Sequence, residues 1–281
     1  MSGNFKLALL QMHVEGGDRS RNLIHAEELL AQAASQGADL ALLPEAMDLG
    51  WTHPSCLQEA EPVLEGKTCR RLCELAKQFN IYICSGLVEK AGEEIYNSAV
   101  VIDRDGRVIL LQRKINELEI GHPYYSLVDR LGVCHTELGT LGLMICADGF
   151  AHDRVLSRAL GYMGADIILS PCAWAVPPDH DNSKSPYGNT WREAYIPVAK
   201  EFCVWVVGVS NVGPITAGPW EGWNCIGCSL VIGPDGNEVL QGPYGVDAET
   251  ILYIEVSTVS RPARGTGWDK YWQAARGEST K

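Results

Sequence analysis

The sequence predicts a layered α/β fold in which mixed β-sheets are covered by helices on their outer faces. Short apolar runs bounded by turn residues predict buried strands, as in residues 39–43 (DLALL) and 141–145 (LGLMI). Longer segments with apolar residues every three or four positions predict amphipathic helices, as in residues 18–35. Because hairpin turns join several of the strands, mixed sheets fit the pattern better than a strict βαβ alternation.

In the first half of the chain, turn chemistry sets the boundaries of the strands. A glycine-containing turn at residues 91–93 and an Arg-Asp-Gly turn at 104–106 separate apolar runs and predict hairpins. The predicted strands are residues 5–13, 39–43, 81–88, 95–102 and 108–112, and the predicted helices are 18–35 and 68–79.

In the second half, we expect a helix that starts near His152 or Asp153 and another over residues 190–202. A proline-rich stretch at 171–188 predicts a long loop that faces the substrate. With no break in composition, we expect one domain over residues 1–260 and a C-terminal arm over 261–281. The predicted strands are residues 131–136, 140–145, 166–170, 204–210, 229–232, 238–241 and 251–256.

Charge and hydropathy exclude two classes of partner. The formal net charge of −12 disfavours nucleic acid, whose phosphate backbone requires a basic surface. No apolar run approaches the roughly 20 residues of a membrane span, so we expect no membrane partner. The first residues carry one lysine and no small-residue cleavage site, which predicts a strand rather than a signal peptide.

The ten cysteines are scattered through apolar runs of a long chain, which favours reduced thiols and a cytoplasmic location. The pair Cys225 and Cys228 could instead be a redox pair, or half of a zinc site completed by Cys69 and Cys73. We favour neither and expect no metal. The sequence has no GxGxxG after its first strand and no Walker-type loop, so nothing supports a nucleotide cofactor.

Three polar residues end apolar strands: Glu45 follows LALLP, Lys114 follows VILLQR and Cys146 follows LGLMI. Such residues converge on one rim of a sheet, where a thiol could attack a carbonyl carbon, a carboxylate could take its proton and an ammonium could stabilise the oxyanion. A turn next to a helix N-terminus would also favour the Cys146 thiolate. Alternatively, Cys146 is a core thiol and the two charges form a salt bridge at the sheet edge.

Eight stretches of the sequence together carry a family resemblance: GDRSRNL (17–23), GADLALLPE (37–45), YNSAVVIDRDG (96–106), RK (113–114), LGLMICAD (141–148), GADIILSP (164–171), VSNVG (209–213) and GCSLVIGPDG (227–236). In their order and spacing, and over nearly its whole length, the chain resembles the nitrilase superfamily of carbon–nitrogen hydrolases. The resemblance implies a four-layer α-β-β-α sandwich, a Glu45–Lys114–Cys146 triad, no cofactor, and a homodimer or larger homo-oligomer in which the C-terminal tail often crosses to a partner.

The same resemblance implies acyl transfer through a thioester on Cys146, with the backbone N–H of Ala147 assisting the lysine at the oxyanion. The family also carries a second glutamate in the loop after the lysine. Here both Glu117 and Glu119 occur in that loop, and we favour Glu119 as the catalytic one, with His122 as a further possibility.

The residues behind the cysteine limit the choice of substrate. Relatives that cleave N-carbamoyl amino acids place an arginine near this turn, where the chain has Gly149 and Phe150, and Arg154 and Arg158 are the nearest substitutes. The Asp-Gly pair after Ala147 resembles aliphatic amidases, so we expect an amide first, an N-carbamoyl compound second and a nitrile third. The expected pocket residues are Glu117, His122, Trp174, Tyr187, Asn189 and Trp191, with Trp220 and Trp223 as further candidates.

Two hypotheses of other classes stay open at this point. The chain could be a catalytically silent scaffold subunit, which would not need Glu45, Lys114 and Cys146 together. It could also transfer the acyl group to an acceptor other than water, which would need an acceptor site, an ammonia channel or a fused domain. Of these, we expect 281 residues to leave no room for a fused domain.

Overall fold

The computed structural model describes residues 4–262 together with residues 268, 272, 275 and 276. The arm predicted for residues 261–281 lies almost entirely outside these described residues and stays a prediction. The strands are β1 (Asn4–Gln11), β2 (Leu40–Leu42), β3 (Tyr82–Ala91), β4 (Glu94–Ile102), β5 (Val108–Arg113), β6 (Val133–Thr136), β7 (Gly139–Leu143), β8 (Ile167–Cys172), β9 (Ala175–Val176), β10 (Trp205–Ser210), β11 (Val212–Pro214), β12 (Asn224–Ile226), β13 (Leu230–Ile232), β14 (Glu238–Gln241) and β15 (Thr250–Ser257). The α-helices are α1 (Arg19–Ser35), α2 (Cys56–Glu59), α3 (Lys67–Phe79), α4 (Val155–Met163) and α5 (Gly188–Phe202).

The strands form two mixed six-stranded sheets and a small third sheet. The first sheet has the order β15-β1-β2-β3-β4-β5, with β1, β2 and β3 parallel and the other pairs antiparallel. The second has the order β14-β13-β10-β8-β7-β6, with β7, β8 and β10 parallel. The short strands β11, β12 and β9 pair separately. Mixed sheets with hairpins agree with the sequence pattern.

Successive side chains of a strand point to opposite faces of a sheet, and in these strands both sets are apolar. The two sheets therefore bury one face against each other. In β1, Leu7 and Leu9 point between the two sheets and share a core with Leu143 and Leu169 of the second sheet. The other face of the first sheet packs against α1 and α3, and the other face of the second packs against α4 and α5. The layers are therefore α-β-β-α, as the resemblance implied.

The helix behind Cys146 starts later than the sequence predicted. Two short 3₁₀ turns, Cys146–Phe150 and His152–Arg154, come first, and α4 begins only at Val155. Asp153 and Arg154 have φ values of 52° and 55°, and this left-handed backbone prevents the helix from starting there. Within the described ranges, no helix combines the length and the hydropathy that crossing a membrane requires.

Candidate active site

The three strand-end residues meet at one cavity between the two sheets. Glu45 lies just beyond β2 and Lys114 directly follows β5, both in the first sheet, while Cys146 lies just beyond β7 in the second. Lys114 Nζ donates a hydrogen bond to Glu45 Oε1 at 2.8 Å, and the two side chains are 2% and 1% exposed. The expectation that strand ends would converge here agrees with the structure.

The second acidic group beside the lysine is Glu117, which corrects the preference for Glu119. Glu117 Oε1 accepts from Lys114 Nζ at 2.8 Å, and Asn97 Nδ2 bridges Glu117 Oε2 and Glu45 Oε1 at 3.0 and 2.7 Å. Glu119 and His122 are exposed, because the surface 3₁₀ turn Glu119–Gly121 turns the chain outward. Glu117 folds back on the lysine from three positions away.

The charges of this cluster depend on one another. Burial disfavours the Lys114 ammonium, but the carboxylates of Glu45 and Glu117 outweigh burial and hold the pKa of Lys114 well above its usual range. Lys114 Nζ also lies 5.3 Å from the ring centroid of Trp51. The lysine is therefore a fixed cation at the wall of the cavity.

Cys146 has a φ of 46°, in the left-handed region that non-glycine residues rarely adopt. Its backbone N–H donates to Ser170 Oγ at 3.2 Å, which fixes the turn to β8. Strained backbone of this kind persists where surrounding contacts enforce it and is concentrated at functional sites. The turn therefore presents the thiol to the cavity at the end of a buried strand.

The carboxylate of Asp148 joins the cysteine turn to the lysine loop. Its Oδ2 accepts from the Ile145 N–H at 2.9 Å, and its Oδ1 accepts from the N–H groups of Ile115 and Asn116 at 3.0 and 2.7 Å. Asn116 Nδ2 in turn donates to the Ala147 carbonyl at 2.7 Å. Burial raises the pKa of Asp148 to about 6, although these backbone hydrogen bonds oppose the rise.

The expectation of a favoured thiolate at Cys146 is wrong for this structure. Burial, a hydrogen bond with Cys172 and the nearby Glu45 carboxylate together raise the pKa of the Cys146 thiol well above its usual range, and Lys114 only partly opposes them. No α-helix N-terminus lies at the thiol to offset burial, because α4 begins at Val155. The surroundings of the thiol therefore favour its protonated form, and forming the thiolate would call for a base.

The backbone around Glu45 is held by close contacts on both sides. Its N–H donates to the Cys172 carbonyl of the second sheet at 3.2 Å, and the next residue, Ala46, has a φ of 46°. On β3, a Cβ added to Gly86 would lie 2.5 Å from the Cα of Glu45. Glycine is needed at position 86 because the Glu45 loop crosses directly over it.

The cavity has a volume of about 120 Å³ and mostly aromatic walls. Of the predicted pocket residues, Trp174, Tyr187 and Trp191 line it together with Ala147, whereas Asn189 is exposed in the first turn of α5 and accepts from Arg192. The sequence analysis missed five lining residues: Trp51, Leu118, Phe150, Ala173 and Ala175. The complete lining is Glu45, Trp51, Lys114, Leu118, Cys146, Ala147, Phe150, Ala173, Trp174, Ala175, Tyr187, Trp191 and Trp220.

The lining residues that the sequence analysis missed have only weak sequence indications of a place in the pocket. Trp51 follows Glu45 by only six positions, but the spacing of residues in this loop does not indicate that its indole reaches the cavity. Phe150 is 43% exposed and packs on Trp191 at a centroid distance of 4.4 Å. Of the two further candidates that the sequence analysis named, Trp220 lines the cavity and contacts Trp51 at a centroid distance of 5.0 Å, whereas Trp223 stacks on Trp220 and is not part of the lining.

The cysteines outside the cavity give no metal site in the described part of the chain. Cys225 and Cys228 are buried free thiols, and Cys228 Sγ accepts from Gln241 Nε2 at 2.8 Å. No group of three or more His, Cys, Asp or Glu side chains among the described residues is placed to hold a metal ion.

Residues 6–264 match the sequence pattern of the family described as carbon-nitrogen hydrolase. The chain belongs to the carbon–nitrogen hydrolase family. Among solved structures, the carbon-nitrogen hydrolase of Helicobacter pylori G27 superposes with a TM-score of 0.78 and 25% identity, covering 90% of this chain and 88% of that one.

Curated relatives of this family member carry several names. A nitrilase of Pyrococcus abyssi is 34% identical over 61% of this chain and 66% of its own length. An N-carbamoylputrescine amidase of Solanum tuberosum is 27% identical over 90% of this chain and 87% of its own. A chloroplastic omega-amidase of Arabidopsis thaliana is 30% identical over 60% of this chain and 49% of its own. The alignment thus spans half to two thirds of two of these relatives.

Proposed function

We propose that this family member hydrolyses the carbon–nitrogen bond of an amide through a thioester on Cys146. One observation carries the proposal: a buried Glu45–Lys114 ion pair at 2.8 Å shares a cavity with the strained Cys146 turn. A carboxylate, an ammonium and a thiol that line one cavity are the groups that acyl transfer requires.

The elevated pKa of Cys146 makes a general base necessary, and Glu45 is the carboxylate that we assign to this role. As Glu45 takes the thiol proton, Sγ attacks the amide carbon, and Lys114 with the Ala147 N–H stabilises the negative oxygen. Glu45 then gives its proton to the leaving ammonia or amine, which leaves an acyl thioester. A water deprotonated by Glu45 cleaves the thioester and restores the thiol. In this scheme Glu117 keeps Lys114 charged and oriented.

Three substrate classes fit this chemistry in the order amide, N-carbamoyl compound, nitrile. The guanidinium that a carbamoyl amino acid would need is engaged elsewhere: Arg154 Nε donates to the Glu193 carbonyl and Arg158 pairs with Glu201 at 2.8 Å. An amide needs only the nucleophile, the base and the oxyanion contacts. This difference supports placing the amide first.

The test is release of ammonia from a panel of amides, N-carbamoyl compounds and nitriles. Cys146→Ala should abolish release while the protein stays folded, and Cys73→Ala, a partly buried thiol on α3, should retain it. Rapid quenching followed by mass spectrometry should find the acyl group on Cys146. Full activity of Cys146→Ala would exclude this mechanism.

Acyl transfer to a different acceptor is the second candidate, since the thioester is common to both reactions. Adding hydroxylamine or an amine and measuring the ratio of transfer product to free acid separates them. Hydrolysis predicts that the acid dominates without an added acceptor. A silent subunit would form no acyl adduct at all.

A further inference from the structure

The cavity at Cys146 offers charged groups only at its catalytic end. Of the described residues that line it, the charged ones are Glu45 and Lys114, which are bonded to each other. The rest of the lining consists of Cys146 itself, four tryptophans, a tyrosine, a phenylalanine, a leucine and three alanines. A substrate that enters therefore meets ions at the reacting carbon and uncharged, largely aromatic surface elsewhere, where the indole N–H groups of Trp51, Trp174 and Trp191 have no hydrogen-bond partner among the described residues.

Two charged residues next to the lining, Glu117 and Arg192, already have hydrogen-bond partners. Glu117 uses Oε1 for Lys114 and the Leu118 N–H, and Oε2 for Asn97. Arg192, on α5 beside Trp191, binds Glu238 and Gln241, each at 2.6 Å. Recruiting either group for a substrate would break existing hydrogen bonds.

The size and shape of the cavity also restrict the acyl group. Trp174 and Trp191 stack at a centroid distance of 4.4 Å and an interplanar angle of 23°, and Phe150 packs on Trp191 at the rim. A volume of about 120 Å³ is slightly below that of an apolar protein cavity of about 150 Å³ known to bind benzene. A hydrocarbon group of about six carbons, counted beyond the carbonyl carbon, matches this space.

We propose that the substrate is a primary carboxamide whose acyl group is uncharged, apolar and no larger than about a benzene ring. The proposal rests on the proposed function and adds a polarity and a size to it. A carboxylate or ammonium on the acyl chain would lose its hydration and find no side chain of opposite charge along this wall to compensate. Apolar chains gain from the same burial.

The experiment compares substrates of matched shape. 4-Methylpentanamide and succinamate have the same skeleton, with an isopropyl group in one and a carboxylate in the other, and pentanamide matches 4-aminobutanamide in the same way. We expect kcat/KM to be higher for each uncharged member by on the order of 100-fold. Benzamide should be accepted, and 2-naphthamide should be at least tenfold poorer. Equal or better turnover of succinamate or 4-aminobutanamide would overturn the proposal.

Binding to Cys146→Ala separates this proposal from the proposed function. If wild type releases no ammonia from any of these amides, the proposed function fails. Calorimetry on Cys146→Ala then tests the polarity of the pocket separately. Binding of 4-methylpentanamide without binding of succinamate would support that polarity alone. If turnover occurs but prefers succinamate, only the polarity fails. Phe150→Arg should shift the kcat/KM ratio toward succinamate by at least tenfold, and Phe150→Leu should not. An unchanged ratio in Phe150→Arg would contradict an acyl chain that runs along this wall.

Discussion

Lys114 and Glu45 form an ion pair at 2.8 Å in which both side chains are almost completely buried. Glu117 binds the same ammonium at 2.8 Å, so one cation serves two carboxylates. Buried ions are tolerated only while each has its partners, because removing one leaves the others without solvent or counter-charge. The lysine and the two carboxylates are therefore stable in this buried position only when all three are there together.

Replacing Lys114 tests this dependence. Lys114→Met leaves two buried carboxylates unpaired and should lower the free energy of unfolding by about 3–5 kcal/mol, measured by urea denaturation at pH 7.5. The triple variant Lys114→Met/Glu45→Gln/Glu117→Gln should recover part of the loss, since it removes the unpaired charges. A loss below about 1 kcal/mol in Lys114→Met would show that these charges are better solvated than their burial indicates.

Glu117 and Glu119 provide a matched pair of substitutions two positions apart. Glu117→Gln removes one of the two charges that hold the pKa of Lys114 high and weakens the bridge through Asn97. We expect kcat on a carboxamide to fall by about 10–100-fold. Glu119→Gln changes an exposed side chain and should stay within about twofold. Steady-state ammonia release measures both, and the reverse order of effects would restore Glu119 as the second glutamate.

The sequence predicted the three central residues of the site because apolar runs show where strands end. Glu45, Lys114 and Cys146 each follow such a run, and the parallel β1–β2–β3 and β7–β8–β10 arrangements bring strand ends to one edge. The number of layers was implied by the family resemblance, because the spacing of apolar residues alone does not determine how many layers the fold has.

The parts that were missed depend on loop conformation. Choosing between Glu117 and Glu119 required knowing that a surface 3₁₀ turn begins at Glu119. The elevated pKa of Cys146 follows first from burial between the packed layers and then from its neighbours Cys172 and Glu45, which are distant in sequence. The spacing of residues along the sequence does not reveal side-chain burial or contacts between the two sheets.

Gly86 is predicted to control activity through the position of Glu45. Gly86→Ala places a Cβ 2.5 Å from Glu45 Cα and 2.6 Å from the Pro44 carbonyl oxygen, so the Glu45 loop must move. We expect kcat/KM to fall by on the order of 100-fold, because displacements of about 1 Å at a catalytic group have effects of this size. The control is Gly92→Ala, where the added Cβ meets nothing within 4 Å. Its φ of 64° costs about 1 kcal/mol of stability, but activity should remain. Full activity of a folded Gly86→Ala would show that the loop adapts without moving the carboxylate.

Asp48, three residues beyond Glu45, makes stability depend on pH. Its Oδ1 accepts from the Val88 N–H at 3.0 Å, and burial raises its pKa to about 6 from 3.8, against that bond and the charge of Arg19. Because the folded state binds this proton more tightly than the unfolded state does, the contribution of Asp48 to stability is fully present below about pH 4. It is lost as the pH rises through about 6.

Asp48→Asn removes this titration and keeps an oxygen that can accept from Val88. A difference of about 2.2 in pKa (about 6 minus 3.8), at about 1.4 kcal/mol for each unit, amounts to about 3 kcal/mol. The free energy of unfolding of Asp48→Asn minus that of wild type should therefore increase by up to about 3 kcal/mol between pH 4 and pH 7.5. Urea denaturation at both pH values measures it, with the exposed Asp129→Asn as a control that should show little change. A difference that does not vary with pH would mean that Asp48 keeps a partner or water that stabilises its charge, so the Glu45 loop would be more hydrated than its burial implies.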